Sequence, residues 1–590
     1  MPAPYTLILP PETWLSVFVL LDCTELRRCL MTCRTMHQII TSDYELLLHL
    51  ESDAAGYAPS SNSRTDITPE EKLAILRAHV ERRQTLTPFS CVTIDDFNGF
   101  RWLSPWYNTR SWFRDGVLVF CFWVETVINE LEQMTIQIGV IQLPSPNKGI
   151  EMRQWVHVES EIQVLGCWFE PKFDLLILLS SGPPADCDRE RFHMRTLSSN
   201  KPHPKASQDP IVHTIPASMR STANVRIIGS WLIVSCLAML QRMVIWDWTT
   251  GEHLLDKEFE TLSPSFDLPF CLEDNLIFLS ERYFMIASLF RVTIPDISVG
   301  FFSVYSLDPG EHSGLCLSQV AFLELPAFGN VRLDTFDYYE DPSFQPITRG
   351  DFAVGHPSVF ETSNTGRMLE FILGFSKLGE DQHFDDNGQQ NSLSLCIPVE
   401  AIIRVVSCLK KKTSGPPIVP WEEWGINVRE FHNPGPTGRV CSGSRRISFV
   451  RTPREDPVGT PLSTNEHKPN DSWTIPNHSI IPCFAVVDFN PMLVKLMLPA
   501  HQENEVERSI EHRATWKHYP RELHGTASIL VPRIKRASAV ENTVAPFVLA
   551  LFRHTELDNI TPSYTLMDEE HMIVVQADGD FIQRIMVITL

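Results

Sequence analysis

From about residue 88 onward, short β-rich apolar runs recur between clusters of turn residues, with few helical segments among them. Val117–Val124, Ile136–Leu143, Leu175–Leu179, Val225–Val234, Val244–Trp248, Leu276–Leu279, Phe284–Leu289 and Phe301–Leu307 begin the series. Phe352–Val354, Leu369–Phe375, Leu393–Ile397, Ile447–Val450, Phe484–Phe489, Leu493–Leu496, Ile529–Ile534, Phe547–Phe552, Met572–Val575 and Ile585–Ile588 continue it. Strands this short and this numerous predict an antiparallel, all-β architecture. The 43 prolines fall mostly between the runs, where no ladder N–H is lost. Three polar, aperiodic stretches near 199–209, 376–392 and 454–479 read as long mobile loops.

One stretch is more specific. "NVRIIGSWLIVSCLAMLQRMVIWDWTTGEHL" holds two strands, the second ending Ile245-Trp246-Asp247-Trp248 before Thr249-Thr250-Gly251. It resembles a WD-repeat blade, in which a strand closes on Trp-Asp and a tight turn starts the next strand. "GFFSVYSLDPG" echoes it with Tyr305 where the Trp would stand. The body over 89–590 is therefore expected to be a degenerate propeller, with a pair of β-sandwiches as the competing architecture.

The first fifty residues have the other periodicity. Pro10 and Pro11 suit a first helical turn, and Trp14, Val17, Phe18 and Leu21 follow at i, i+3, i+4 and i+7. Asp22 and Thr24 are candidate caps for a second helix carrying Leu26, Cys29, Leu30, Cys33, Met36 and Ile40 in register. Tyr44–Leu50 ends this block. "AAGYAPSSNSRTD" reads as a turn-rich linker, and "TPEEKLAILRAHVERRQTL" as a further helix with Thr68 at its N-cap and Pro69 at its first position. The expected organisation is an N-terminal module at 1–50, a helical linker at 51–88 and the β-body at 89–590.

Leu15, Val19 and Leu20 add apolar side chains outside the Trp14/Phe18/Leu21 stripe. A helix apolar on several sides must be covered on several sides, and so short a segment buries little surface by itself. Either the β-body covers it, or a separate protein does.

Several function classes recede. A net charge of −22 disfavours phosphate backbones as main ligands. Lys410–Lys412 and Arg533–Arg536 read as solvated loop charge. Pro10, Pro11 and Glu12 interrupt any secretory core, and Val117–Val124 and Trp231–Leu240 fall far short of the roughly 20 residues a membrane helix needs. Fourteen cysteines without a C-x-x-C pair predict free thiols in a reducing compartment, cytoplasm or nucleus.

Catalytic signatures are thin. Walker, Rossmann, nucleophile-elbow and zinc-protease patterns are not found. His383-Phe384-Asp385-Asp386 and Asp568-Glu569-Glu570-His571 have metal-ligand residue types without metal-site spacing, so acidic turns are expected. "CSGSRR" around Gly443 has no helix start after it. Neither cofactor nor metal is expected. The aromatic clusters Trp102, Trp106, Tyr107, Trp112, Phe113 and Trp421, Trp424 are expected in packing rather than on a binding face.

Leu9-Pro10-Pro11-Glu12, the apolar helix to Leu21, then Leu26, Cys29, Cys33-Arg34 and Ile39-Ile40, resemble an F-box of the pattern L-P-x-E, helix, L-x-x-C, C-R. Thr13, Thr32 and Met36-His37 depart from that pattern. The whole chain also resembles the large F-box proteins of mushroom-forming fungi, through "EEKLAILRAHVERR", "VIWDWTTGE" and "VPWEEWGINVREF". The resemblance implies a three-helix F-box ahead of a β-propeller-like, WD-type body. It implies a non-enzymatic substrate receptor of an SCF-type cullin–RING ubiquitin ligase, docked on a Skp-family adaptor. Partner binding would fall to Leu9, Pro10, Glu12, Trp14, Leu15, Phe18, Leu21, Leu26, Cys29, Leu30, Cys33 and Arg34, some shared with the module's own core. The alternatives are a propeller interaction scaffold with a helical cap and, behind it, a propeller enzyme needing an acid/base or metal cluster at a central pocket.

Overall fold

The computed structural model describes residues 9–60, 62–85, 87–94 and 113–128, and 131–453 except 160–161, 163, 182–188, 208–209, 215–223, 237–241, 260–275, 294–295, 311–313, 327–330, 340–355, 378–390, 410–415, 426–427, 433–438 and 443–444. It then describes 480–488, 528–531, 547–552, 564–578 and 581–590. The aromatic run Trp102–Trp112, the His383–Asp386 quartet, Gly443, and the expected strands Phe352–Val354 and Leu493–Leu496 lie outside the described residues.

Four helices, rather than three, form the N-terminal module: α1 (Pro11–Phe18), α2 (Cys23–Thr32), α3 (Arg34–Ser42) and α4 (Tyr44–Ala55). Their ends are set locally. Asp22 accepts from the Glu25 N–H while the Glu25 carboxylate accepts from the Asp22 N–H, a reciprocal capping box on α2. The Cys33 thiol caps α3 and the Asp43 carboxylate caps α4. Gly56, at φ 83°, turns the chain out of α4 in the left-handed region that glycine adopts without a Cβ clash. α4 thus runs past the boundary expected at residue 50, because the stop signal is Gly56.

The turn-rich stretch that follows contains strand β1 (Tyr57–Pro59), and α5 (Pro69–Thr85) starts on a second capping box between Thr68 and Glu71. This segment is packed structure rather than a free linker. Tyr57, Leu73 and Leu76 are buried together with Val359 and Phe360 from far along the chain, and Leu47 and Leu48 of α4 lie against them.

Beyond β2 (Ser90–Ile94) the body is built sheet by sheet. Sheet 1 is β3 (Phe113–Arg114), β4 (Val117–Ile128), β5 (Leu131–Gln142) and β6 (Arg153–Glu159). Sheet 2 is β7 (Val164–Glu170), β8 (Leu175–Ser181), β9 (Arg189–Thr196) and β10 (Ile211–Thr214). Sheet 3 is β11 (Asn224–Ile228), β12 (Trp231–Cys236), β13 (Arg242–Asp247) and β14 (His253–Glu258). Sheet 4 is β15 (Leu276–Phe278), β16 (Tyr283–Thr293), β17 (Asp296–Pro309) and β18 (Leu315–Glu324).

Sheet 5 carries the insertions. After β19 (Val331–Tyr339) comes β20 (Phe360–Thr362), which pairs elsewhere, then β21 (Met368–Lys377) and β22 (Asn391–Pro398). Next come α6 (Val399–Cys408), β23 (Ile418–Val419) and α7 (Trp421–Trp424), and β24 (Arg429–His432) completes the sheet. β23 adds in parallel to the edge of β18. Sheet 6 comprises β25 (Arg439–Ser442), β26 (Arg445–Pro453), β27 (Ile480–Asp488), β28 (Ser528–Val531) and β29 (Phe547–Phe552). The seventh, β30 (Tyr564–Met567), β31 (His571–Asp578) and β32 (Phe581–Thr589), takes its outermost strand from β2 at the other end of the chain.

Neighbouring sheets pack face to face all the way round. Sheets 1 and 2 share a core around Ile138, Val140, Leu176 and Leu178; sheets 2 and 3 around Phe192, Ile177, Trp246 and Trp248. Sheets 3 and 4 meet at Ile245, Phe278 and Phe284, and sheets 4 and 5 at Phe302, Phe371, Ile402 and Trp424. β25 of sheet 6 lies against β19 and β21 on one side and β30 on the other. Sheets 7 and 1 join through Leu118, Ile141, Val575 and Val587. The order 1-2-3-4-5-6-7-1 closes, so among the described residues the body is a ring of seven sheets, each a blade. This is a propeller-like arrangement in which β2 covers the edge of β32 and so ties the two ends of the body together.

The Trp-Asp signal lies where the sequence placed it. Asp247 ends β13, and its carboxylate accepts from the Thr249 and Thr250 N–H groups and the Ser230 hydroxyl, fixing the turn into β14. Trp248 is fully buried, with its indole N–H donating to the Gly229 carbonyl at 3.0 Å. Tyr305 sits on the third strand of blade 4, as Trp246 does on the third strand of blade 3, and stacks on Phe284. The described part of the 199–209 loop is pinned, since His203 is buried, donates from Nε2 to the Phe173 carbonyl and lies edge-on to Trp248. Trp421 and Trp424 are core residues between blades 4 and 5, as expected.

In each meander the first-to-second and third-to-fourth turns leave from one face of the ring, and the remaining connections from the other. The N-terminal segment is held on the first face. β1 pairs antiparallel with β20, Tyr57 opposite Thr362 and Pro59 opposite Phe360. The residues beneath them are Asn147 in the β5–β6 turn, Lys172 in the β7–β8 turn and Glu569 in the β30–β31 turn.

Candidate partner-binding face of the N-terminal helices

The helical module closes a core of its own. Phe18, Cys23, Leu26, Ile40, Leu46 and Leu50 are buried against one another, with Trp14, Leu15, Leu21, Cys29, Leu30, Met36 and Ile39 packed around them. Trp14 stacks on Phe18 at 5.7 Å between ring centres. Burial and the neighbouring Asp53 push the Cys23 thiol up to about 11, so it stays protonated and acts as a small apolar side chain.

What this core leaves outside is apolar too. On α1 Trp14 and Phe18 face inward while Thr13 and Val17 face out; in the turn after it, Leu21 is half-buried and Val19 and Leu20 are exposed. Leu20 is 85% exposed, Met31 80% and Val19 58%, and Leu9 and Val17 are exposed as well. Pro10, Pro11 and Glu12 stand beside them in solvent. Burying a side chain of this size contributes roughly 1.5–3 kcal/mol, so a partner covering Leu20 and Met31 alone would gain substantial free energy.

Each residue the sequence singled out now has a place. Leu9, Pro10 and Glu12 are exposed and available. Trp14, Leu15, Leu21, Cys29 and Leu30 are half-buried, between core and surface. Phe18 and Leu26 are fully buried and fall on the core side of that division, where their side chains hold the helices together. Cys33 is exposed rather than packed, and its sulfur accepts from the Met36 N–H at 3.5 Å as the cap of α3. Arg34 is exposed next to it. Met31 was missed because it sits among residues in inward helical register; its burial depends on which side of α2 the other helices occupy, which spacing alone does not fix.

The Asp568–His571 quartet lies at the turn between β30 and β31; Asp568, Glu570 and His571 are buried, Glu569 is half-buried, and all four are bonded to protein atoms. Asp568 accepts from His571 Nδ1 at 2.8 Å, Glu570 accepts from Ser145 and from the Asn147 N–H, and Glu569 accepts from Thr362. It seals the seam between blades 7 and 1. Among the described residues no group of three or more His, Cys, Asp or Glu is arranged to hold a metal ion. No helix among them is long and apolar enough to cross a membrane.

Residues 6–49 match the family model described as F-box-like. The chain therefore combines an F-box-like domain with a mainly β body of many small sheets. No curated protein matches it. Solved structures similar to it include the N-terminal domain of Nup159, 8% identical over 80% of this chain and 86% of that one, with a TM-score of 0.25. The WD40 domain of SCAP from fission yeast is 8% identical over 73% and 92%, at 0.18. Domains 1–2 of Drosophila Semaphorin 1a are 9% identical over 83% and 88%, at 0.29. The seven-sheet ring is carried by this chain's own strand order rather than by these likenesses.

Proposed function

We propose that this protein is the substrate-receptor subunit of an SCF-type cullin–RING ubiquitin ligase. In this reading the F-box-like helices dock on a Skp-family adaptor, and through it a cullin, while the ring holds a target protein. The observation that carries it is a module with its own closed core that still presents Leu9, Val17, Val19, Leu20 and Met31 to solvent. A cap serving only the ring would turn its surplus apolar side chains toward the ring.

The protein then performs no bond chemistry. It raises the effective concentration of a target lysine near the charged conjugating enzyme. The module occupies the face of the ring formed by the first-to-second and third-to-fourth turns, which leaves the opposite face for the target. Cytoplasm or nucleus and an origin among mushroom-forming fungi belong to the same reading, the first from cysteines spaced without a C-x-x-C pair and the second from the texture of "VIWDWTTGE" and "VPWEEWGINVREF".

A second reading, a propeller scaffold with a helical cap outside any ligase, draws on the packing of α4 and α5 against Val359 and Phe360. Co-purification with a Skp-family adaptor separates the two. Replacing Leu9 and Pro10 by Ala is expected to weaken adaptor capture while the ring stays folded; full capture by that variant refutes the docking role.

A further inference from the structure

We propose that residues 358–362 act as a strap that makes the N-terminal helices and the ring one rigid body, so that the direction of the exposed F-box face is fixed in the free protein. The inference concerns the link between the two parts and holds whatever the face binds.

The strap belongs to the β19–β21 connection of blade 5. Blades 6 and 7 separate that blade from blade 1 in one direction, and blades 4 and 3 separate it from blade 2 in the other. Yet residues 358–362 contact blades 7, 1 and 2, so the connection crosses the mouth of the ring. There it meets a module whose chain runs into the ring through the four residues between the end of α5 and the start of β2, and whose Arg64 also lies against Gly149 of blade 1. A four-residue tether alone would let the module swivel.

The strap as a whole contacts both parts. On the ring side, the Asn147 side chain stands in for a missing strand. Its amide donates to the Phe360 carbonyl at 3.0 Å, and its oxygen accepts from the Val359 and Phe360 N–H groups at 2.9 and 3.2 Å. Asn147 is itself held, because its N–H donates to Glu570 at 3.1 Å. On the module side, Ser358 is bonded to Asn62 and Arg64, and Ser363 to Gly56, extending the β1–β20 ladder at both ends. Phe360 is buried against the Tyr57 and His79 rings at 4.5 and 5.0 Å. Glu361 accepts from Ser60 of the module at 2.5 Å and from Lys172 of blade 2 at 3.0 Å. Thr362 donates to Glu569 of blade 7. Swivelling would break the buried Asn147 bonds to Val359 and Phe360 and pull Phe360 from the Tyr57 and His79 rings, a cost that a static joint avoids.

Hydrogen exchange on the full chain tests it, comparing the native protein with Asn147→Ala and Glu361→Ala. In Asn147→Ala the amides of Tyr57, Ala58 and 360–362 are expected to exchange at least tenfold faster, with β4, β5 and α2 unchanged. Unchanged exchange at the strap overturns the proposal. If Asn147→Ala also loosens β4 and β5, Glu361→Ala decides: threefold or faster exchange confined to the strap and β1 supports it, and a smaller change overturns it. Adaptor capture by the same variants is read separately, so a failed strap and a failed docking face give different results.

Discussion

His571 Nδ1 lies 2.8 Å from the Asp568 carboxylate while its Nε2 lies 2.9 Å from the Pro144 carbonyl, so a doubly protonated imidazole satisfies both partners at the closing seam of the ring. Burial alone would lower the pKa of His571. The Asp568 charge and hydrogen bond, helped by Glu570, outweigh it and raise the value to about 9. Burial likewise opposes ionisation of Asp568, but His571 holds its carboxyl below the usual range. The ion pair fixes His571 within blade 7, and its Nε2 hydrogen bond to the Pro144 carbonyl ties that blade to blade 1.

The sign of the pH dependence follows. A histidine with a raised folded pKa contributes stability in full below about 6.5 and loses it as pH rises through about 9. The Asp568 contribution is present above its unfolded value near 3.8 and fades as pH falls below it. Urea denaturation should show stability falling by on the order of 2 kcal/mol between pH 6.5 and 9.5. His571→Gln should flatten that decline; an equal slope in the variant would assign it elsewhere.

Leu20→Glu and Met31→Glu place charge on side chains that already face water. Thermal stability should change by less than about 0.5 kcal/mol. Adaptor affinity should fall by roughly tenfold or more per substitution, an effect of about 1.4 kcal/mol readable by calorimetry.

Leu26→Ala should behave in the opposite way. Its side chain is wholly inside the helical module, so truncation leaves a cavity and costs about 2–5 kcal/mol. Helical circular dichroism and adaptor capture should be lost together, whereas the surface variants lose capture alone.

Asp22→Ala removes one half of the α2 capping box and should destabilise the module by about 1 kcal/mol. Exchange should quicken first at the amides of Glu25 and Leu26, while the strands of the ring keep their protection.

A fragment beginning at residue 89 retains β2 and should unfold in one sharp transition. A fragment beginning at 95 loses it and bares the full edge of β32, from Ile585 to Thr589. That fragment should aggregate and melt broadly, as light scattering and calorimetry would show.

Local signals carried well from sequence to structure. Asp22 and Thr68 cap the helices they precede, because a cap needs only a side chain three residues from an N–H. Asp247 ends a strand and holds its turn for a similarly local reason. The inward stripe Trp14/Phe18/Leu21 was readable from periodicity, and its partition into core and surface was not. Tyr57–Pro59 escaped notice as a strand since three residues show no alternation and their partner lies about three hundred residues away. Asn147 likewise has no motif: an amide that substitutes for a strand is recognisable only once the backbone it serves is beside it. The ring count was hidden for the same reason, as blade 7 takes its fourth strand from residues 90–94.

That borrowed strand sets a timetable for the newborn chain. Ser90–Ile94 leaves the ribosome early, yet the residues it must pair with, Ile585–Thr589, are translated almost five hundred positions later. Until then the ring cannot shut, so its closure waits on a pairing of very long sequence separation, a kind of contact whose loop-closure cost slows folding.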